Sequence, residues 1–203
     1  NVPGSFSVYN SLTAIAICNH FGVGEEEIKS ALKNVSVKGR IEIVPVTKSY
    51  TLMIDYAHNA MSLESLLTTI KAYEPARLVC LFGCGGNRAK SRRYEMGEVS
   101  SRLADLTVIT SDNPRDEEPM DIINDILVGV QKADGAYVTI PDRKEAIKYC
   151  MEHAEDGDII VLAGFMHILS GKIIERYTNN PTPIPKNPAV KPKAINQNLK
   201  TRI

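Results

Sequence analysis

Four runs of this chain are apolar without interruption: RLVCLF (77–82), LTVIT (106–110), AYVTI (136–140) and IIVLA (159–163). A strand with one wet face alternates apolar and polar side chains, so unbroken runs of this length describe strands covered on both faces. Helical patterns fill the gaps between them. SLESLLTTIKAY (62–73) places Leu63, Leu66, Leu67 and Ile70 on one helical face. Pro119, behind Asp116, Glu117 and Glu118, opens a helix whose inner face is Ile122, Ile123, Ile126, Leu127 and Val130. Asp142 and Glu145 have the spacing of a capping box at the start of RKEAIKYCM. Strands alternating with such helices require right-handed crossovers, which predicts an α/β fold with a doubly wound, mostly parallel sheet.

The flanks differ from this middle. VYNSLTAIAICNHF (8–21) is apolar nearly all round and ends at Gly22, which predicts a packed helix with a glycine stop. A second helix is expected over Glu25 to Asn34, acids in its first turn and Ile28, Ala31, Leu32 and Val35 as its buried stripe. After Lys38-Gly39-Arg40, the β-type runs IEIVPV and YTLMI begin the sheet. From Arg176 onward there is no acid, and prolines alternate with Lys and Asn, so this tail is expected to be extended or disordered. The opening residues, without an initiator Met and entering a helix at once, read as the interior of a longer polypeptide.

Twenty-four basic and 24 acidic residues cancel, so bulk charge calls for neither nucleic acid nor an anionic membrane, and recognition must be local. Cys18, Cys80, Cys84 and Cys150 form no CxxC pair, which suits reduced thiols in a cytoplasmic protein. Neither a targeting segment nor an apolar run of membrane-spanning length is present.

Every suggestive residue falls just behind a strand. DYAHN (55–59), GCGGNRAKSRR (83–93) and DNPRDEE (112–118) would gather at the carboxyl rim, where sheets of this kind bind ligands. Gly83, Gly85 and Gly86 permit a tight turn, and Arg88, Lys90, Arg92 and Arg93 make that loop cationic and suited to an anion, with a solvated helix start as the other reading of Lys90, Arg92 and Arg93. The third glycine position of a dinucleotide fingerprint is Arg88, so the match is partial. In DNPR, Asp112 or Asn113 can bond its own backbone in a proline turn, while the planar fork of Arg115 suits a carboxylate. His58 reads as a positioned hydrogen-bonding group in preference to a catalytic base. No side chain is assigned a catalytic role and no metal-ligand spacing is found.

Taken together, GRIE (39–42), DYAHNAMSLE (55–64), FGCGGNRAKSRRYEMG (82–97) and SDNPRDEEP (111–119) resemble the carboxyl-terminal, Rossmann-like domain of the Mur ligase family, in its diaminopimelate-adding MurE branch. GSFSVYNSLTAIA is similar to the end of that family's central ATP-binding domain. The resemblance implies a division at 1–38 (end of the central domain), 39–175 (Rossmann-like domain) and 176–203 (tail). It implies an ATP-dependent amide ligase of peptidoglycan precursor synthesis, in which ATP phosphorylates a substrate carboxylate and the incoming amine attacks the acyl phosphate. Arg88, Asp112, Asn113, Pro114, Arg115 and Gly164 would hold meso-diaminopimelate. Asn10, Arg40, Asp55 and His58 would face the nucleotide. ATP and Mg2+ are the implied cofactors, held mostly by a domain upstream of residue 1, without which this part is expected to be inactive. The implied partners are meso-diaminopimelate and the UDP-N-acetylmuramoyl dipeptide, and the implied state is a monomer.

One departure stands out. Where the family has Gly-Lys-Gly-His-Glu, this chain reads Gly164-Phe165-Met166-His167-Ile168, so Ile168 replaces the glutamate that would pair with the far ammonium of diaminopimelate. A disrupted reading frame near 164, or a tail of unrelated origin, is the expectation. Alternative readings are a lysine-adding Mur ligase or a folylpolyglutamate synthase relative, which Arg115 argues against, and a non-catalytic nucleotide- or amino-acid-binding module.

Overall fold

The computed structural model describes residues 5–35, 37–164 and 174. Two helices, α1 (Ser5–His20) and α2 (Glu25–Asn34), precede a six-stranded sheet. The sheet strands are β1 (Glu42–Val44), β2 (Thr51–Asp55), β3 (Arg77–Phe82), β4 (Leu106–Ile109), β5 (Tyr137–Thr139) and β6 (Asp158–Ala163). They are joined through α3 (Ala60–Lys71), α4 (Lys90–Leu103), α5 (Pro119–Ala133) and α6 (Arg143–Glu152). Their order is β1-β2-β6-β3-β4-β5, parallel throughout except for β1, which pairs antiparallel with β2. The last strand returns to the middle of the sheet, between β2 and β3, so the carboxyl ends of β2, β6, β3 and β4 lie side by side.

Three of the four apolar runs became doubly covered strands: every residue of β4, and all but one of β3 and of β6, is buried, whereas β5, from AYVTI, is the edge of the sheet and is buried only at Val138. On one face lie the inward sides of α3, α4 and α5, including Leu63, Leu67, Met96, Ile123 and Ile126. On the other lies α6, through Ala146, Ile147 and Cys150. Two glycines set how closely α4 and α5 approach. A Cβ on Gly97 would stand 2.2 Å from the Ile126 carbonyl oxygen, and one on Gly129 would stand 1.9 Å from that of Tyr94. At the amino end of the sheet, Arg77 and Asp158, register partners on β3 and β6, are joined by a salt bridge at 2.6 Å.

Three further local expectations need correction. The capping box belongs to α3: Asn59 Oδ1 accepts from the Ser62 N–H at 2.9 Å, and the Asn59 N–H donates to Ser62 Oγ. Asp142 makes only its own half, accepting the Glu145 N–H at 2.9 Å. The helix α1 is largely uncovered: Val8, Tyr9, Leu12 and Ile17, and Phe21 just beyond its end, are exposed, and the described residues only half-bury Ile15 and Cys18. The α2 stripe is likewise buried only at Ile28. No helix among the described residues is long and apolar enough to cross a membrane. The expectations for Phe165 to Ile168 and for the tail from 176 lie outside the described residues.

Candidate functional site

The carboxyl rim is stitched together by backbone. The Thr110 N–H donates to the Phe82 carbonyl at 3.0 Å, the Gly86 N–H to that of Asn113 at 2.8 Å, and the Gly164 N–H to that of Asp55 at 3.1 Å. At Gly86 the loops nearly touch, a Cβ there falling 1.8 Å from the Pro114 carbonyl oxygen. Gly164, at φ 116°, turns the chain out of β6, where a Cβ would stand 2.6 Å from Asp112 Oδ2. Arg115 adopts a left-handed backbone, φ 52°, which costs a non-glycine residue roughly 1–2 kcal/mol.

These loops enclose a cavity of about 80 Å3 lined by His58, Arg88, Asp112, Asn113 and Arg115, together with Arg92 and Cys84. Three guanidiniums and one buried carboxylate therefore share a space suited to the charged head of a small molecule. Among the described residues, no acidic side chain pairs with Arg88, Arg92 or Arg115. Behind Asp112 lies Arg143, itself buried, whose Nη2 donates to the Ala163 carbonyl at 3.1 Å. Burial lowers the Arg143 pKa and the Asp112 carboxylate opposes that shift, so the site rests on an internal cation. The His58 Nδ1 lies 3.0 Å from the Tyr56 carbonyl. A carbonyl only accepts, so Nδ1 carries the proton and Nε2 is the ring's acceptor when neutral. Burial pushes the Cys84 thiol up to about 12, which favours the neutral thiol.

Arg93 must be separated from its neighbours. Only 1% exposed, it donates through Nη2 to Glu117 at 2.7 Å and through Nη1 to Asp125 at 2.9 Å. It is neither a solvated helix start nor open to a ligand. Its cationic loop splits into one structural arginine, a lysine, Lys90, 3.4 Å from Asp125, and two arginines, Arg88 and Arg92, with no acidic partner among the described residues.

A second, open cleft of about 1050 Å3 lies between α1, α2 and α3. It collects Asn10, Arg40 and Asp55, with Asn59, Ser62 and Ser65 beside apolar Leu12, Ile15 and Leu66. The Arg40 guanidinium sits 4.7 Å above the Tyr56 ring. Both Asp55 oxygens are occupied: Oδ2 accepts from the Ile41 N–H at 2.9 Å and Oδ1 from the Ala57 N–H at 2.8 Å. Burial raises the Asp55 pKa, opposed by those N–H groups and by Arg40. Ile41 is held by this bond at φ 45°, a rare conformation for a β-branched residue. No group of three His, Cys, Asp or Glu able to hold a metal ion occurs among the described residues.

The structure thus places Arg88, Asp112, Asn113 and Arg115 around one cavity, with Pro114 and Gly164 bracing its walls through backbone approach. Asn10, Arg40 and Asp55 share the other cleft. His58, grouped with the nucleotide residues on the sequence, lines the arginine cavity instead. Sequence reasoning missed Arg143, whose only signal was an arginine directly after a helix N-cap. It also missed Asn59 and Ser62, whose spacing is a short capping box.

Residues 39–165 match the family described as Mur ligase, glutamate ligase domain. The chain is 42% identical over 177 residues to the UDP-N-acetylmuramoyl-L-alanyl-D-glutamate–2,6-diaminopimelate ligase of Caldanaerobacter subterraneus subsp. tengcongensis, covering 85% of this chain and 37% of that one. Its identity to the ligase of the same name from Clostridium perfringens is 44% over 169 residues, covering 82% and 34%. Among solved structures, a diaminopimelate ligase of that name superposes with a TM-score of 0.64 at 29% identity, over 86% of this chain and 39% of the other. A UDP-N-acetylmuramate–alanine ligase from Thermotoga maritima superposes at 0.70 and 22% identity, covering 88% and 39%, a likeness of fold alone. The chain spans little more than a third of the length of these relatives. On the match over 39–165 and the sheet, loops and rim that fill it, the chain belongs to the Mur ligase family.

Proposed function

We propose that this chain is the part of an ATP-dependent ligase that presents meso-diaminopimelate to an activated carboxylate of UDP-N-acetylmuramoyl-L-alanyl-D-glutamate during peptidoglycan precursor synthesis. The observation that carries it is the cavity in which Arg88, Arg92 and Arg115 stand without an acidic partner among the described residues. Diaminopimelate differs from lysine by a second carboxylate. A planar guanidinium grips that group in a bidentate manner, and a charge-assisted bond of this kind contributes about 1.5–3 kcal/mol, roughly ten- to a hundred-fold in affinity. The carboxylate of Asp112, buried at the same cavity, offers a counter-charge for an ammonium of the zwitterion.

ATP would supply the phosphoryl group that activates the acceptor carboxylate. Asn10, Arg40 and Asp55 fit a nucleotide, because one cleft offers a cation, an amide and a carboxylate beside an apolar floor. Mg2+ finds no three-ligand cluster among the described residues, so in this reading its ligands belong to the rest of the enzyme. The residues of this chain bind, orient and exclude; with the His58 proton on Nδ1, Nε2 is the ring position able to accept a hydrogen bond in the cavity. The reading places the protein in the cytoplasm and treats it as a monomer.

Calorimetry on the chain with meso-diaminopimelate and with L-lysine tests this reading. Saturable binding of diaminopimelate, tighter than lysine, is expected. A preference for lysine, or binding of neither, overturns the substrate assignment.

A further inference from the structure

We propose that Arg93 is a positioning residue: its buried fork sets the separation between the loop bearing Arg88 and Arg92 and the loop bearing Arg115. The inference rests on the amino-acid pocket proposed above. Arg93 lies in the first turn of α4 and reaches both Glu117, two residues beyond Arg115, and Asp125 on α5. Glu117 Oε1 also accepts the Asn87 N–H at 2.5 Å, one residue before Arg88. Asn87 Nδ2 donates to Asp116 Oδ2 at 2.7 Å, one residue after Arg115. Each of two ligand-facing arginines therefore has a chain neighbour fixed to the other loop.

The base of this network has no slack, since α4 and α5 meet through the close approaches at Gly97 and Gly129. Its second effect is on charge. Glu117 lies in the Arg115 loop and Asp125 on α5 behind it, and Arg93 holds both, which leaves Arg88, Arg92 and Arg115 available to an anion. A lysine at 93 would keep a positive charge but could not reproduce the fork that joins two carboxylates.

The test uses the full 203-residue chain and its Glu117→Ala and Arg93→Lys variants. Glu117 is partly exposed, so its replacement spares the core if Arg93→Lys fails to fold. In Glu117→Ala, the meso-diaminopimelate Kd should rise roughly ten- to a hundred-fold, as expected for a sub-ångström to 1 Å displacement of a gripping group, while L-lysine binding changes little. Without any ligand, hydrogen exchange at the Asn87 amide should accelerate while the amides of β3 and β4 keep their protection. Parallel losses for both amino acids that track a fall in Tm would overturn the proposal in favour of a merely structural arginine. Unchanged exchange at Asn87 would overturn it as well. Should the parent chain bind neither amino acid, the substrate reading fails, and hydrogen exchange at the Asn87 amide in Arg93→Lys, where its acceptor Glu117 is retained, decides the role of Arg93: faster exchange than in the parent supports it and unchanged exchange overturns it.

Discussion

Gly86 and Pro114 belong to different loops, yet a single methyl group on Gly86 would be placed 1.8 Å from the Pro114 carbonyl oxygen. The Gly86 N–H donates to the preceding carbonyl, that of Asn113, at 2.8 Å, so the approach is a bonded one. Gly86→Ala must move one loop away from the other. Both are surface loops above an intact sheet, so the stability cost should sit near the lower end of the ~1–3 kcal/mol typical of overpacking. The affinity cost should be larger, roughly ten-fold or more for meso-diaminopimelate, because the arginines on the two loops lose their mutual placement. Calorimetry and thermal unfolding on the same sample check this pair of outcomes; equal binding by variant and parent would show that loop spacing does not matter.

Arg115 allows function and stability to be pulled apart at one position. Its left-handed backbone favours glycine and penalises any residue with a Cβ. Arg115→Ala and Arg115→Gly should both weaken meso-diaminopimelate by roughly ten- to a hundred-fold, since both lose the fork. Yet Arg115→Gly should unfold at a higher temperature than Arg115→Ala, the two differing by about 1 kcal/mol. Paired melting curves and binding isotherms for the two variants decide the matter. If the alanine variant is the more stable one, position 115 does not hold this backbone in solution.

Gly129 sets helix propensity against packing. Alanine is favoured over glycine in a helix interior by about 0.8–1.0 kcal/mol, which alone predicts a stabilised variant. Here the new methyl would lie 1.9 Å from the Tyr94 carbonyl oxygen and 2.9 Å from the Glu98 nitrogen, both backbone atoms of α4. Backbone cannot swing aside as a flexible side chain does, so the cost of forcing α4 and α5 apart, of the order of 1–3 kcal/mol or more, wins. Gly129→Ala should therefore lower Tm, and a raised Tm would contradict the observed helix separation.

The sheet was legible because its signal is physical at every position: a strand buried on both faces has no site for a polar residue, and RLVCLF and LTVIT contain almost none. The clustering of DYAHN, GCGGNR and DNPR followed from the same rule, since each is the first chain segment beyond a strand. What the linear pattern could not separate was Arg93 from Arg88 and Arg92. All three read as cations of one loop, and only the arrival of Glu117 from the loop after β4 and of Asp125 from α5 buries one of them. The exposed face of α1 failed for the opposite reason. Apolar composition shows that a helix wants covering, and cannot show that the described part of this chain supplies little cover.

The Glu117 carboxyl links the network to pH. Its hydrogen bond from Arg93, reinforced by the Asn87 N–H, pulls its pKa from an ordinary 4.5 down to about 2. Between those values the unfolded chain binds a proton that the folded chain refuses, so the unfolded state holds more protons and stability rises with pH across that interval. The contribution is complete above about 4.5, erodes as pH falls, and is gone below about 2. Urea unfolding from pH ~5 down to pH ~2 should show a shallower decline for Glu117→Gln than for the parent, the two curves converging at the acid end. Because Glu117 is partly exposed, high salt should narrow the gap between them. Parallel curves throughout would mean that Arg93 does not hold this carboxylate in solution, and the clamp between the two loops would lose its charge.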